Sequence, residues 1–470
     1  MSRLFARIAR FVVALYANAS RTVRVALVIY LVHLFAFAGA SSGRLRTHSG
    51  DTHFSYLASM WLHGRLDLGR APPNQNDWAE VEYLTLKDGR TVAGAYIRSQ
   101  PNVFRTIQGK RETILPDAIA SRFKKYYVSF PPFPAVLFLP LVAIGGLEVN
   151  DVVFNVLLAP LGPMLLFLFL ARLRAQGRTQ RSETDDLWLS VMFGLGTVYF
   201  YSSVIGQVWY TAHIVSTVLA GLFLLAAVDA KRPILAGLCL GALALTRPQM
   251  GFFGIFYLTE LWRVANGDRG KILRGLILVG VPVAAFAAVG AWFNWVRFHS
   301  FTEFGHTYLN VRWTDRIQRY GLFNYAFLSR NLASAFTTTP KLLGHAPWIQ
   351  FPWHGISMLI TTPALAYLLW PQIRDSDRTL YRALWATAAP IALLSFLYQN
   401  DGWVQFGFRF SIDYLLLLMT LLAVGNRPLT RTFRVLIVVG IGVNLFGALT
   451  FGRAWQLYYD GFFPIGLNEL

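Results

Sequence analysis

The 470-residue chain is 55% hydrophobic and only 14% charged, and soluble proteins carry about a quarter of their residues as charges, so a soluble globular fold is excluded. The net charge of +19 comes from short basic clusters set between apolar runs, which is a topological pattern and not a nucleic-acid surface. The single cysteine, Cys239, excludes an intramolecular disulfide and any Cys-rich metal or iron–sulfur site.

In chain order, residues 4–16 (LFARIARFVVALY) are basic on one side and apolar on the other, the pattern of a helix lying on the cytoplasmic leaflet. The first apolar run, about 22–40, has no small-residue cleavage site and is read as a membrane anchor. Further runs occupy about 150–171, 187–206, 209–228, 233–247, 248–262, 275–296, 355–370, 383–398, 411–425 and 435–451. The stretch 131–146 is short and carries Pro131, Pro132, Pro134 and Pro140, so it is expected to be re-entrant or surface-lying. If it does not cross, the basic clusters at Arg3–Arg24, Arg172–Arg181, Lys231/Arg232, Arg263–Arg274, Arg374–Arg382 and Arg427–Arg434 all face the cytoplasm.

The expected fold is therefore an all-α polytopic membrane protein, a single domain over 1–470 with about eleven spanning helices. The N-terminus would be cytoplasmic, and the C-terminus and the functional face would lie outside the cell (inner) membrane. Three segments are expected outside: a long first loop of about 41–130, a second of about 297–354, and a short third at 399–410. Within the first loop, AEVEYLTLKDGRTVAGAYI reads as a β-hairpin with a primed turn at Lys87–Arg90, and this hairpin would form a lid or rim. The short cytoplasmic loops hold no phosphate-cradling glycine motif, so an activated substrate would come from outside or from the lipid.

Directly after the first run comes HSGDTHFSYLASMWLHGRLDL (48–68), with Asp51 the carboxylate nearest the helix end. Phe54, Tyr56, Leu57, Met60 and Trp61 have the spacing of a helix lying on the membrane surface. Asp51 can be a helix N-cap, a functional carboxylate at the interface, or both. His48, Asp51 and His53 could together bind a divalent metal, but nothing else completes a coordination shell, and no metal or cofactor is assigned. Arg122, Lys124, Lys125, Arg247 and Arg409 are the cations nearest the outer membrane edge. Lys124 and Lys125 can instead snorkel to headgroups, and Arg247 and Arg409 can instead pair with a carboxylate such as Asp413. His213 near the outer end of its span faces either a cavity or a neighbouring helix. His306, Tyr308 and Trp313 can stack on a sugar or simply sit at the interface.

Four further stretches extend a pattern begun at Asp51, Tyr56 and Gly64: KKYYVSFPPFPAVLFLPLVAIGG, GALALTRPQMGFFGIFYLTEL, NWVRFHSFTEFGHTYLN and GWVQFGFRFSIDYLLLLMTLLA. In this order they resemble the C-type glycosyltransferase superfamily, which includes protein O-mannosyltransferases and lipid A aminoarabinose transferases. Thr52 stands where many members carry a second acidic residue. The resemblance implies transfer of a sugar, with inversion, from a polyprenyl-phosphate donor to an acceptor hydroxyl on a lipid, glycan or protein. It implies Asp51 as the base, with Arg409, Arg247, Lys124, Lys125 and Arg122 against the donor phosphate. Tyr56, His53, His306 and Tyr308 are then expected to bind substrate. The rival readings are a secondary transporter or a lipid or polysaccharide flippase, and a polysaccharide polymerase or ligase. Transporters tend to place charges at the membrane midplane, whereas here they cluster at the outer edge.

Overall fold

A computed structural model describes residues 20–461; the amphipathic segment 4–16 and the last nine residues lie outside the described part. In chain order the helices are α1 (Arg21–Ser41), α2 (His53–Leu62), α3 (Phe133–Gly145), α4 (Asp151–Leu158), α5 (Leu161–Ala175), α6 (Glu183–Leu195) and α7 (Tyr199–Ser203). They continue with α8 (Val208–Ala227), α9 (Pro233–Ala244), α10 (Gly254–Ala265), α11 (Arg269–Phe298), α12 (Thr314–Tyr320), α13 (Leu328–Phe336), α14 (Met358–Thr361), α15 (Arg378–Leu397), α16 (Ile412–Val424) and α17 (Arg431–Thr450).

Among the described residues, six helices are long and apolar enough to cross a membrane: Arg21–Arg46, Asp151–Ala175, Val208–Ala230, Arg269–Phe298, Asp375–Leu397 and Arg431–Thr450. Other apolar runs form shorter pieces. The run at 187–206 breaks between α6 and α7, and the run at 355–370 becomes the four-residue α14 followed by a 3-10 turn over Pro363–Leu369. The 12-residue α9 is about 18 Å long, short of a hydrocarbon core of about 30 Å. The stretch expected not to cross forms the 13-residue α3, with Pro140 inside it.

The exterior of the long helices is apolar. Val23, Leu27, Leu31 and Phe35 on α1, Leu273, Ile277 and Val281 on α11, and Val435, Val438 and Val439 on α17 are all exposed. Water would make such rows costly, and a bilayer removes the cost. At the centre, every residue of α16 is buried. Helices approach closely where side chains are small: a Cβ on Gly237 of α9 would collide with the Val279 carbonyl of α11.

The two ends of the bundle differ. At one end the basic clusters meet: Arg21 pairs with Glu183 (2.8 Å), Arg178 with Glu260 (2.6 Å), and Arg374 donates to the Gly177 carbonyl (2.8 Å). At the far end of α1, a 21-residue helix about 31 Å long, the chain enters the segment containing Asp51.

The segment from 78 to 128 is not a lone hairpin but an antiparallel sheet, β4–β3–β2–β1–β5, built from β1 (Trp78–Leu86), β2 (Thr91–Tyr96), β3 (Val103–Thr106), β4 (Arg111–Thr113) and β5 (Ile119–Val128). The expected hairpin is its β1–β2 pair, with Thr85 opposite Thr91. Its turn is not of the primed kind. Gly89 alone has a positive φ (85°), its N–H donates to the Leu86 carbonyl (3.0 Å), and the Leu86 N–H donates to the Arg90 carbonyl (2.8 Å). That is a three-residue loop closed by a left-handed glycine. The sheet sits on the end of α11, where Ala79, Val81 and Tyr127 pack with Phe298 and Tyr308. Arg297 clamps the joint: its guanidinium lies 3.7 Å from the Phe293 ring centroid and donates to the Val128 carbonyl (2.9 Å).

Candidate active site

Asp51 follows α1 and precedes α2, and its side chain is 5% exposed. It does not cap α2, since no side-chain capping bond forms there. Instead its carboxylate collects neutral donors. The Asn74 and Asn76 amides donate to Oδ1 (3.0 and 3.2 Å), and the Gln207 amide donates to Oδ2 (3.1 Å). Asn74 is fixed in turn, because its own Oδ1 accepts from the Trp78 indole (3.0 Å) and the Asn76 N–H (3.1 Å). A carboxylate offers about four lone-pair positions, so three amide bonds leave room for one more donor.

Gln207 caps α8 with φ 64° and ψ 151°, a conformation that costs a non-glycine residue about 1–3 kcal/mol. Buried Asp151 holds it there, accepting from the Gln207 N–H (2.7 Å) and from the Ser49 hydroxyl (2.6 Å). Asp151 thus pins the Asp51 loop to the start of α8, and the Val208 N–H completes the joint by donating to the Asp51 carbonyl (3.0 Å).

Two cavities meet beside this loop. One, of about 460 Å³, is lined by Asp51, Asn76, Gln207, Tyr210 and several tryptophans. The other, of about 400 Å³, reaches among α8, α15 and the Arg247–Gln249 turn, and also touches His306. Asp77, Trp209, Asn400 and Arg409 line both, so they form the junction.

Arg409 is 4% exposed. It donates to the Val404 carbonyl (2.9 Å) and lies 5.3 Å from the Tyr210 ring centroid. Among the described residues no carboxylate stands within ion-pair distance of it, and its Nε has no hydrogen-bond partner. A buried cation with no carboxylate in contact is expensive, and an anionic ligand at the junction would relieve it.

Asp77, which the sequence reading did not single out, accepts from the Trp209 indole (2.7 Å). Burial pushes its carboxyl up from the ordinary value and neighbouring Asp51 adds to that, while the Trp209 bond and Arg409 oppose it. It is therefore a second carboxylate in the site although Thr52 is not acidic. Its only sequence signal was the polar run NQND before a strand.

The other expected residues divide. Arg247 lines the second cavity but is engaged by Asp413: its Nη2 donates to Oδ2 (2.8 Å), and Gln249 and His213 bond the same carboxylate (2.8 and 3.0 Å). This is the ion-pair alternative, and it also accounts for His213. Arg122, Lys124 and Lys125 lie on β5, exposed, and pair with Glu82 (3.9 Å), Glu80 (2.5 Å) and Asp67 (3.6 Å). They line neither cavity: alternation along the strand sets Arg122 and Lys124 on one face of the sheet and Lys125 on the other, and each meets a carboxylate there.

His53 is fully buried, stacked on Trp78 (4.0 Å) with its Nε2 against the Asn76 carbonyl (2.8 Å), and burial lowers its pKa. It braces the Asp51 loop and lines neither of these two cavities. Tyr56 packs edge-on against Trp78 (5.5 Å), and Tyr308 stacks on Phe298 (5.5 Å) inside the sheet's small core. His306 does line the second cavity, where burial lowers its pKa against the pull of Glu303. His48 turns its Nδ1 to the Ser49 carbonyl (2.6 Å), and among the described residues no three His, Cys, Asp or Glu side chains converge as a metal site. Comparison of the chain with protein-family models, curated proteins and solved structures finds no match.

Proposed function

We propose that the protein is a membrane glycosyltransferase that moves a sugar, with inversion, from a polyprenyl-phosphate-linked donor to an acceptor hydroxyl. The observation that carries this reading is the junction itself. A buried arginine without a carboxylate partner stands where a cavity containing Asp51 meets a cavity running among the helices. An amphiphilic donor fits that division, with its phosphate at Arg409, its sugar toward Asp51 and its chain toward the helices.

In the proposed step the acceptor oxygen attacks the anomeric carbon and the carbon–oxygen bond to the phosphate breaks. The hydroxyl proton passes to Asp51, and the charge gathered on the departing polyprenyl phosphate is met by Arg409. Asp77 faces both partners from the junction. Arg247, held by Asp413, shapes the cavity wall. In this reading the basic end of the bundle is cytoplasmic, the site is external, and about eleven segments cross, the short helices doing so in series. The test is sugar transfer by purified protein as a function of donor concentration. Arg409→Gln should raise the donor requirement at least tenfold, and an unchanged requirement would remove Arg409 from phosphate binding.

A further inference from the structure

The cavity beside Asp51 has a wall that the transfer step does not use. Trp313, Trp353, Trp403 and Trp455 all line it. They come from distant segments and form one chain of ring contacts, edge-on or tilted: Trp313 meets Trp403 at 5.5 Å, Trp403 meets Trp353 at 6.1 Å, and Trp353 meets Trp455 at 6.0 Å between ring centroids.

The fold spends several short ladders on holding them together. Strand β7 (His354–Ile356) pairs in parallel with β8 (Gln405–Gly407), and the Gln405 N–H donates to the Trp353 carbonyl (2.9 Å). Strand β9 (Tyr458–Tyr459) pairs in parallel with β6 (Ile349–Pro352), which brings the segment after α17 back beside Trp353. His354 and Asp401, 2.6 Å apart, tie the start of β7 to the loop carrying Trp403.

We infer that this tryptophan wall is the acceptor subsite and that the acceptor is a saccharide, an inference that rests on the glycosyltransferase reading. The C–H faces of a pyranose ring are apolar and lie flat on aromatic rings, while its hydroxyls need closely spaced hydrogen-bonding groups. Both requirements are met in one cavity, whose lining holds the indoles together with Asp51, Asn76 and Asn400. The Trp313 and Trp353 indole nitrogens are themselves buried and have no acceptor among the described residues, so these two side chains meet the cavity with their rings, while Trp78 and Trp209 donate to Asn74 and Asp77. An aliphatic acceptor would find its match elsewhere, in the wholly apolar groove formed by Trp61, Phe133, Leu139, Val289 and Phe293.

The test titrates the purified full chain, in detergent and without donor, with maltohexaose, cellohexaose, chitohexaose and mannohexaose, followed by tryptophan fluorescence. A threonine-rich peptide and a long-chain alcohol are titrated in parallel. At least one oligosaccharide should produce saturable quenching. Trp353→Ala and Trp403→Ala should each weaken that binding about tenfold, and the corresponding Phe variants should recover most of it. The inference is overturned if no oligosaccharide binds, if the Ala variants bind as well as the unaltered protein, or if only the peptide or the alcohol binds. Cleavage of the lipid-linked donor by water, measured on the unaltered protein, reads the transferase chemistry separately. Cleavage without saccharide binding would refute the subsite and keep the transferase. Binding without cleavage would refute the transferase and with it the acceptor role, leaving the wall as a saccharide-binding site only.

Discussion

Replacing Asp51 by asparagine removes a base while changing the packing very little, and the surroundings say why. Oδ1 keeps its bonds from Asn74 and Asn76, because Asn74 cannot turn without losing Trp78 and the Asn76 N–H. The new amide nitrogen then faces Gln207, whose side-chain amide can rotate to present its oxygen in place of the donor now at 3.1 Å. One rearranged hydrogen bond is worth about 1 kcal/mol, so Asp51→Asn should unfold close to the unaltered protein. Loss of a general base costs about a hundredfold to ten-thousandfold in rate, or about 3–5 kcal/mol in barrier. Asp51→Ala should be worse for the fold, since Asn74, Asn76 and Gln207 all lose their acceptor on Asp51, at about 0.5–1.5 kcal/mol for each bond lost. The assay is the initial rate of sugar transfer at saturating donor, run beside thermal unfolding in the same detergent. A rate within threefold of the unaltered protein would refute the role given to Asp51. Unfolding of Asp51→Asn as early as Asp51→Ala would refute the account of the amide shell.

Asp77→Asn should flatten part of the pH dependence of stability. Burial raises the Asp77 carboxyl, so its contribution is complete below the ordinary carboxylate value of about 3.9 and fades as pH rises through the raised one; an unchanged slope in the variant would contradict this. Arg247→Ala strands Asp413 in the bundle interior and should cost about 3–5 kcal/mol of stability. Arg409→Gln breaks no ion pair, removing only the longer-range pull on Asp77, and should cost clearly less, a ranking that thermal unfolding of both variants checks. Gly237→Ala should separate α9 from α11 at the Val279 carbonyl and destabilise by about 1–3 kcal/mol, and no loss would mean that the two helices can part freely.

What could be read from the sequence was local. The end of the first helix and Asp51 after it are marked by a sharp change in polarity, and the Asp88–Gly89 pair locates a turn, although its type depends on which residues take positive φ. Arg409 was conspicuous as a charge between phenylalanines, and the pairing of Arg247 with Asp413 was one of two open alternatives. The misses share a physical cause. Hydropathy sums over a window and does not register that α6 and α7 part, or that α14 stops after four residues. Strand β5 crowds basic and aromatic residues together over 122–127, so without its partner β1 it resembles a juxtamembrane stretch. Asp51, the run from Asn74 to Asp77, Asp151 and Gln207 lie far apart in the chain and meet only through tertiary contacts.

The most direct test gives the purified protein, in liposomes, total lipid-linked sugars carrying a radiolabel in the sugar. The glycosyltransferase account predicts that label leaves the polyprenyl phosphate for a new hydroxyl, with one lipid phosphate released for each sugar moved. Donor recovered chemically intact but carried to the opposite leaflet would contradict that account and make the protein a transporter of the same lipid.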